Sequence, residues 1–122
     1  MALEIDSNGN ITMYQGDSGQ VVVNGLPTDN DYAVYLEIHD TDRNVMGEVK
    51  VYSAQSESVI LSLPASLTDL LTVDEDSKKQ TYYYGIKTCN VDTGAEDTML
   101  LGDSKIGDLN TITVYPRKVK GL

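Results

Sequence analysis

The sequence has no tryptophan and no phenylalanine, and its 122 residues include one cysteine, one histidine and three prolines. Cys89 has no second cysteine to pair with, so no internal disulfide forms, and a domain of this length can bury enough surface without one. The residue reads as a small buried or half-buried strand position. Neither Cys89 nor His39 has a Cys or His neighbour at ligand spacing, which argues against zinc binding and thiol redox chemistry. Cations are scarce too: nine Lys and Arg face nineteen Asp and Glu, a net charge of −10. Such a surface repels the phosphates of nucleic acids and anionic membranes, so neither is expected as a partner. The opening MALEIDSNGN has two acids, no basic segment and no apolar run of signal-peptide length. No stretch approaches the roughly 20 apolar residues of a membrane span. The expectation is a soluble product in the cytoplasm that made it.

What the chain does have is eight tyrosines and short runs of alternating polarity. Tyrosine favours strands and joins a buried ring to a hydroxyl that accepts solvent or a polar partner. The alternation predicts strands at 11–14, 20–24, 32–39, 45–52, 58–63, 81–89, 98–101 and 110–115. Turn compositions rich in Gly, Asn and Asp separate them, and those at 40–44 and 91–97 read as hairpin turns. Period-two parity puts Tyr32, Val34, Leu36 and Ile38 on one face, with Val59, Leu61 and Leu63, Tyr82, Tyr84 and Ile86, and Ile112 and Val114 forming matching rows. Tyr83 and Lys87 then point outward. Gly85 lies on the face opposite the core row, as a notch for a neighbouring ring or a bulge.

Residues 64–71 break the alternation, because Leu67, Leu70 and Leu71 fall at helical spacing behind Pro64. One short helix is expected there. The fold class is therefore all-β: an immunoglobulin-like or related antiparallel sandwich of about eight short strands with one short helix, although closure into a barrel fits the same pattern. Residues 1–116 make a single domain and 117–122 a basic extension. Arg117, Lys118 and Lys120 hold three of the nine cations, which leaves the body with six against nineteen acids.

Gly16-Asp17-Ser18-Gly19 spells the local sequence around a chymotrypsin-like nucleophile. The only histidine, however, follows the serine, and the chain is too short for two barrels, so a tight turn is the better reading. The Asp-rich strings at 6–10 and 40–44 offer oxygens at alternate positions as a calcium loop does, but the second has Val45 and Val51 where that loop needs Gly and Glu. Turns are expected at both, with no metal and no cofactor. Nothing singles out a carboxylate pair for glycoside chemistry. Two Gly-Asp pairs surround Ile106 in 100–109; this isoleucine is expected to plug the base of the sandwich, the other reading being an ordered loop at a subunit contact.

The strings ITMYQGDSG (11–19), YAVYLEI (32–38), YYYGIK (82–87) and GDLNTITVYP (107–116) resemble small bacteriophage and prophage structural proteins of Gram-positive hosts. They are distantly similar to the N-terminal β-sandwich domain of siphophage baseplate upper proteins. The likeness rests on turn and strand signatures along nearly the whole chain. It implies a non-enzymatic virion component that docks on a larger capsid, tail or baseplate protein, as capsid decoration, a head-fibre protein or a tail or baseplate part, with homo-oligomerisation also open. The sequence stops after the sandwich, without the coiled coil or receptor-binding part of the baseplate family. Partner-contact candidates are the outward Tyr35, Tyr83 and Tyr115 together with Arg117, Lys118 and Lys120, and residues 115–122 are read as an assembly arm. A carbohydrate- or receptor-binding module used in host adsorption is the alternative, its tyrosines stacking on sugars.

Overall fold

A computed structural model describes residues 3–74 and 76–119. Among the described residues there are nine strands: β1 (Leu3–Ile5), β2 (Ile11–Tyr14), β3 (Gly19–Val23), β4 (Tyr32–His39), β5 (Val45–Tyr52), β6 (Val59–Leu63), β7 (Gln80–Asn90), β8 (Glu96–Thr98) and β9 (Asn110–Tyr115). A single helix, α1 (Ala65–Thr68), links β6 to β7. Seven strands form one sheet in the order β1-β2-β9-β7-β4-β5, with β8 sharing the edge of β7 beyond β9, while β3 and β6 form a second sheet. All pairs are antiparallel except β2 with β9, which run parallel from Ile11↔Ile112 to Tyr14↔Tyr115.

The predicted apolar rows meet between the two sheets except for Tyr32, which is half-buried at the start of β4 with its hydroxyl donating to Asp29 Oδ1. Val34, Leu36 and Ile38 of β4, Tyr82, Tyr84 and Ile86 of β7, and Ile112 and Val114 of β9 are buried in one cluster with Val21, Val23, Leu61 and Leu63 of the small sheet. The result is a β-sandwich of immunoglobulin-like order, two sheets closed over an aliphatic core. Tyrosine rings complete that core without leaving a polar group unpaired. The Tyr82 hydroxyl donates to the Thr72 carbonyl at 2.5 Å, and that of Tyr84 donates to the Gly9 carbonyl. The Tyr82 bond ties the first part of β7 to the chain ten residues upstream, as the tyrosine corner of immunoglobulin-like domains does. Burial, with the charge of Asp6, pushes the Tyr84 hydroxyl well above its ordinary pKa, so it remains a neutral donor.

The helix forms where the leucine spacing placed it. Pro64 is its N-cap, and its carbonyl accepts the Leu67 and Thr68 amides. Leu67 lies over Gly47 of β5, where a Cβ would collide with its side chain, and Leu71 is fully buried, whereas Leu70 points to solvent. The chain thereby passes from the small sheet to the large one.

Several expectations change. β1 was not foreseen, because only Leu3 of its three residues is buried and three residues cannot show a period. The strand expected at 98–101 lies at Glu96–Thr98, since the turn that closes through Asn90 N–H to the Ala95 carbonyl starts the return strand earlier. Gly85 receives no ring and makes no bulge: a Cβ there would meet nothing within 4 Å, and it pairs in register with Glu37. The irregularity falls instead between Ile38 and His39, where β4 pairs β5. Ile106 plugs nothing, being 91% exposed. Met99 and Leu101 of the same segment pack on the core and take the place expected for it.

Candidate interaction surface

The alternation that buries one row of each strand sends the other row to the far side of the seven-stranded sheet, over which no second sheet lies among the described residues. Tyr35, Glu37 and His39 of β4 stand there with Tyr83, Gly85 and Lys87 of β7, Glu48, Lys50 and Tyr52 of β5, Thr111, Thr113 and Tyr115 of β9, and Thr12 and Tyr14 of β2. Five of the eight tyrosines lie on this face. Tyr35, Tyr83 and Tyr115 are half-buried by neighbours in the sheet, while Tyr14 and Tyr52 are exposed.

These side chains form two groups. Around β5, the Lys50 ammonium sits 4.9 Å from the Tyr52 ring centre and 5.3 Å from that of Tyr35, a double cation–π contact. Tyr52, then Tyr35, raises the Lys50 pKa, so the amine stays charged. On the other side of the sheet, on β2 and β9, Tyr14 and Tyr115 pack with ring centres 6.2 Å apart, and Lys118 lies 5.4 Å above Tyr14. Tyr83 lies between the two groups, opposite His39 on the neighbouring strand.

Along the middle runs a groove of two lobes, about 650 Å³ and about 580 Å³, which meet at Gly85. The missing side chain forms its floor. One lobe has charged side chains at its border, Glu37, Glu48 and Lys87 beside Tyr35; the other is more apolar, bounded by Tyr83, Met99, Leu100 and Ile106. His39 is fixed at the junction: its Nε2 lies 2.5 Å from Glu37 Oε1, and Arg43 Nε donates to its Nδ1 at 3.4 Å. Accepting at Nδ1 places the ring proton on Nε2, where it is donated to Glu37. Lys87 is paired with Glu96 at 2.9 Å, which raises the lysine's pKa.

The sequence candidates are thus partly brought together. Tyr35, Tyr83 and Tyr115 share the face, but Tyr115 stands at the end of β9 beside Tyr14, apart from the groove that Tyr35 and Tyr83 line. Tyr115 is also the last residue of β9, so it belongs to the sheet and the extension begins at Pro116. Arg117 makes an ion pair with Asp69 and covers Gly16, and Lys118 lies over Tyr14, so both cations rest on the body of their own chain. Lys120 lies outside the described residues. Tyr14, Lys50 and Tyr52 were missed, although their alternation with buried Met13 and half-buried Val49 and Val51 carried the signal.

The other motifs resolve as turns. Gly16, at φ +82°, occupies the third position of the turn closed by the Asp17 amide and the Tyr14 carbonyl. Ser18 lines a depression beside β1 and β3, and His39 lines the groove on the far sheet face, so they do not form a nucleophile–base pair. Both Asp-rich strings spend a carboxylate oxygen on backbone amides: Asp6 Oδ1 accepts from Asn8 and Asn10, and Asp40 Oδ1 from Asp42 and Asn44, all at 2.9 Å. Among the described residues no three His, Cys, Asp or Glu side chains gather as metal ligands do.

In class, the molecule is an all-β sandwich, immunoglobulin-like or related, with one sheet face rich in tyrosine. Scanned against protein-family models the chain matches none, and a search of the curated proteins returned no match.

Proposed function

We propose that this chain is a non-enzymatic structural component of a phage particle, which docks on a larger virion protein through the open face of its seven-stranded sheet. The observation that carries the reading is the concentration of five tyrosines on that one uncovered face. Tyrosine offers large contact area at low entropic cost, and such rings dominate interface energetics. An unlayered sheet face with aromatic groups at both sides of a groove is suited to a protein surface more than to a small reactant. The phage context rests on the resemblance of the strand and turn strings, and the docking partner is a capsid, tail or baseplate protein.

Purified particles provide the test. Mass spectrometry should find the chain in them, and Tyr35→Ala with Tyr83→Ala should lower its incorporation at least tenfold while the far-ultraviolet circular dichroism stays that of a β protein. Particles that never contain the chain, or that take up the double variant normally, would overturn the reading. The groove between Tyr35 and Tyr83 also supports a second one, a glycan-binding module for host adsorption. In that case the isolated domain binds saccharides, and the same double variant abolishes the binding.

A further inference from the structure

Loop 99–109 combines rigidity with exposure. It is fastened to the turn at 6–10 by several bonds: the Asp103 amide donates to the Ser7 carbonyl at 2.8 Å, Ser104 Oγ to the Asn8 carbonyl at 2.5 Å, and Asn110 Nδ2 to the same Asn8 carbonyl at 2.8 Å. Gly102 lies so close to the Ser7 carbonyl that no side chain fits. The tip is closed by the Lys105 amide on Asp108 Oδ2 at 2.8 Å. At that tip Ile106 stands 91% exposed. A mobile loop loses entropy when it is captured, whereas this one holds an apolar knob in place beforehand.

Elsewhere on the surface a trough of about 820 Å³ lies between β1 and the small sheet, lined by Leu3, Ile5, Gly19, Val22, Leu63 and Pro64 together with Ser18, Gln20 and Ser62. None of these residues is charged, in a chain that carries −10. Val22, 57% exposed, and Ile5 form its apolar rim, and among the described residues β3 has a strand partner, β6, on one side only. Like-charged copies repel each other over most of their surfaces; an uncharged trough is where a second copy approaches at least electrostatic cost. The same chain also supplies the apolar group to fill it.

We propose that the occupant of this trough is a second copy of the chain, with Ile106 of one copy seated against Ile5 and Val22 of the next. Knob and trough are different surfaces, so the contact is heterologous and builds head-to-tail dimers, rings or rows. Ile106 also borders the apolar lobe of the groove on the docking face, whereas the trough shares no residue with that groove, so Val22→Asp and Ile5→Asp test this contact without touching the docking face.

Sedimentation equilibrium of the full chain from micromolar to millimolar concentration tests the assignment. The wild type should self-associate, more strongly as salt screens the shared negative charge. Ile106→Asp and Val22→Asp should each weaken association at least tenfold. An equimolar mixture of the two should form a one-to-one dimer, because the first variant keeps the trough and the second keeps the knob. If circular dichroism shows that Val22→Asp disturbs β3, Ile5→Asp replaces it in the same mixing experiment. A wild type that stays monomeric, single variants that associate normally, or a mixture that does not recover would each overturn the proposal. So would association that is lost as salt rises, since that marks an ion-paired interface, or a trough that captures only a different protein while the chain itself remains monomeric.

Discussion

Residues 6–10 and 40–44 fold into one and the same turn from two related strings, Asp-Ser-Asn-Gly-Asn and Asp-Thr-Asp-Arg-Asn. In each, the first residue's amide bonds to the fifth residue's carbonyl, the fourth residue's amide returns to the first carbonyl, and the leading aspartate caps the amides of the third and fifth. Both fourth residues are left-handed, Gly9 at φ +83° and Arg43 at φ +67°. Their surroundings differ. A Cβ on Gly9 would come within 2.7 Å of Leu101 Cβ and 2.9 Å of Asn110 Nδ2, because loop 99–109 packs down on that turn. Arg43 is exposed and reaches His39 with its side chain. The lesson is that the left-handed position alone does not demand glycine. Glycine is required where another segment also covers it.

Exchanging the fourth residues breaks the comparison most sharply. Gly9→Arg should destabilise by about 3 kcal/mol or more, a left-handed penalty plus overpacking against Leu101, read as a fall in thermal midpoint. Removing the caps comes next. Asp6→Ala should lower the midpoint more than Asp40→Ala, because turn 6–10 also supplies the carbonyls of Ser7 and Asn8 that hold the distant loop, whereas turn 40–44 closes only its own hairpin. Equal shifts would show that those tethers carry no stability. Arg43→Gly should gain about 0.5–1 kcal/mol, left-handed strain relieved less the added entropy of the unfolded glycine chain, again read from melting.

A smaller effect is expected on acidification. Hydrogen bonds from Asn44, chiefly its amide, hold the Asp40 carboxyl below its ordinary pKa. Its contribution to stability is therefore present above the unfolded carboxylate pKa and is lost as pH falls through the lower folded value. Asp40→Asn, which keeps an acceptor but no titrating group, should flatten the stability profile over that interval. The smallest signal of all is predicted for calcium: calorimetry should register no binding heat at either turn, as each leading carboxylate already serves two amides.

The parity of β4, β7 and β9 was legible in the sequence because each has one face buried, as with Val34, Leu36 and Ile38 against Tyr35, Glu37 and His39. The helix was legible through the spacing of Leu67, Leu70 and Leu71, and both hairpins through the Gly-, Asn- and Asp-rich turn compositions at 40–44 and 91–97. What sequence could not supply was which segment wins a place. Met99 and Leu101 fill the spot that Ile106 was expected to take, and an isolated isoleucine between glycines carries no periodicity by which to choose. Nor does parity say whether the second face of a sheet is layered. The outward tyrosines were visible one at a time, but their gathering on a single face depends on the order β2-β9-β7-β4-β5, which is a property of long-range pairing. The similarity of the two turns was present in the strings themselves. The packing of loop 99–109 on only one of them was not.

The parallel pairing of β2 with β9 has a bearing on biosynthesis. Residues 11–14 leave the ribosome about a hundred positions ahead of the strand they need, and until Ile112 and Val114 emerge, β2 and the first half of β7 each wait with an unsatisfied edge. Contacts of such long sequence separation form slowly. The nascent polypeptide therefore passes through a stage in which two sticky strands are available to neighbouring chains on the same polysome, and high expression should favour aggregates that dilute, slow synthesis avoids.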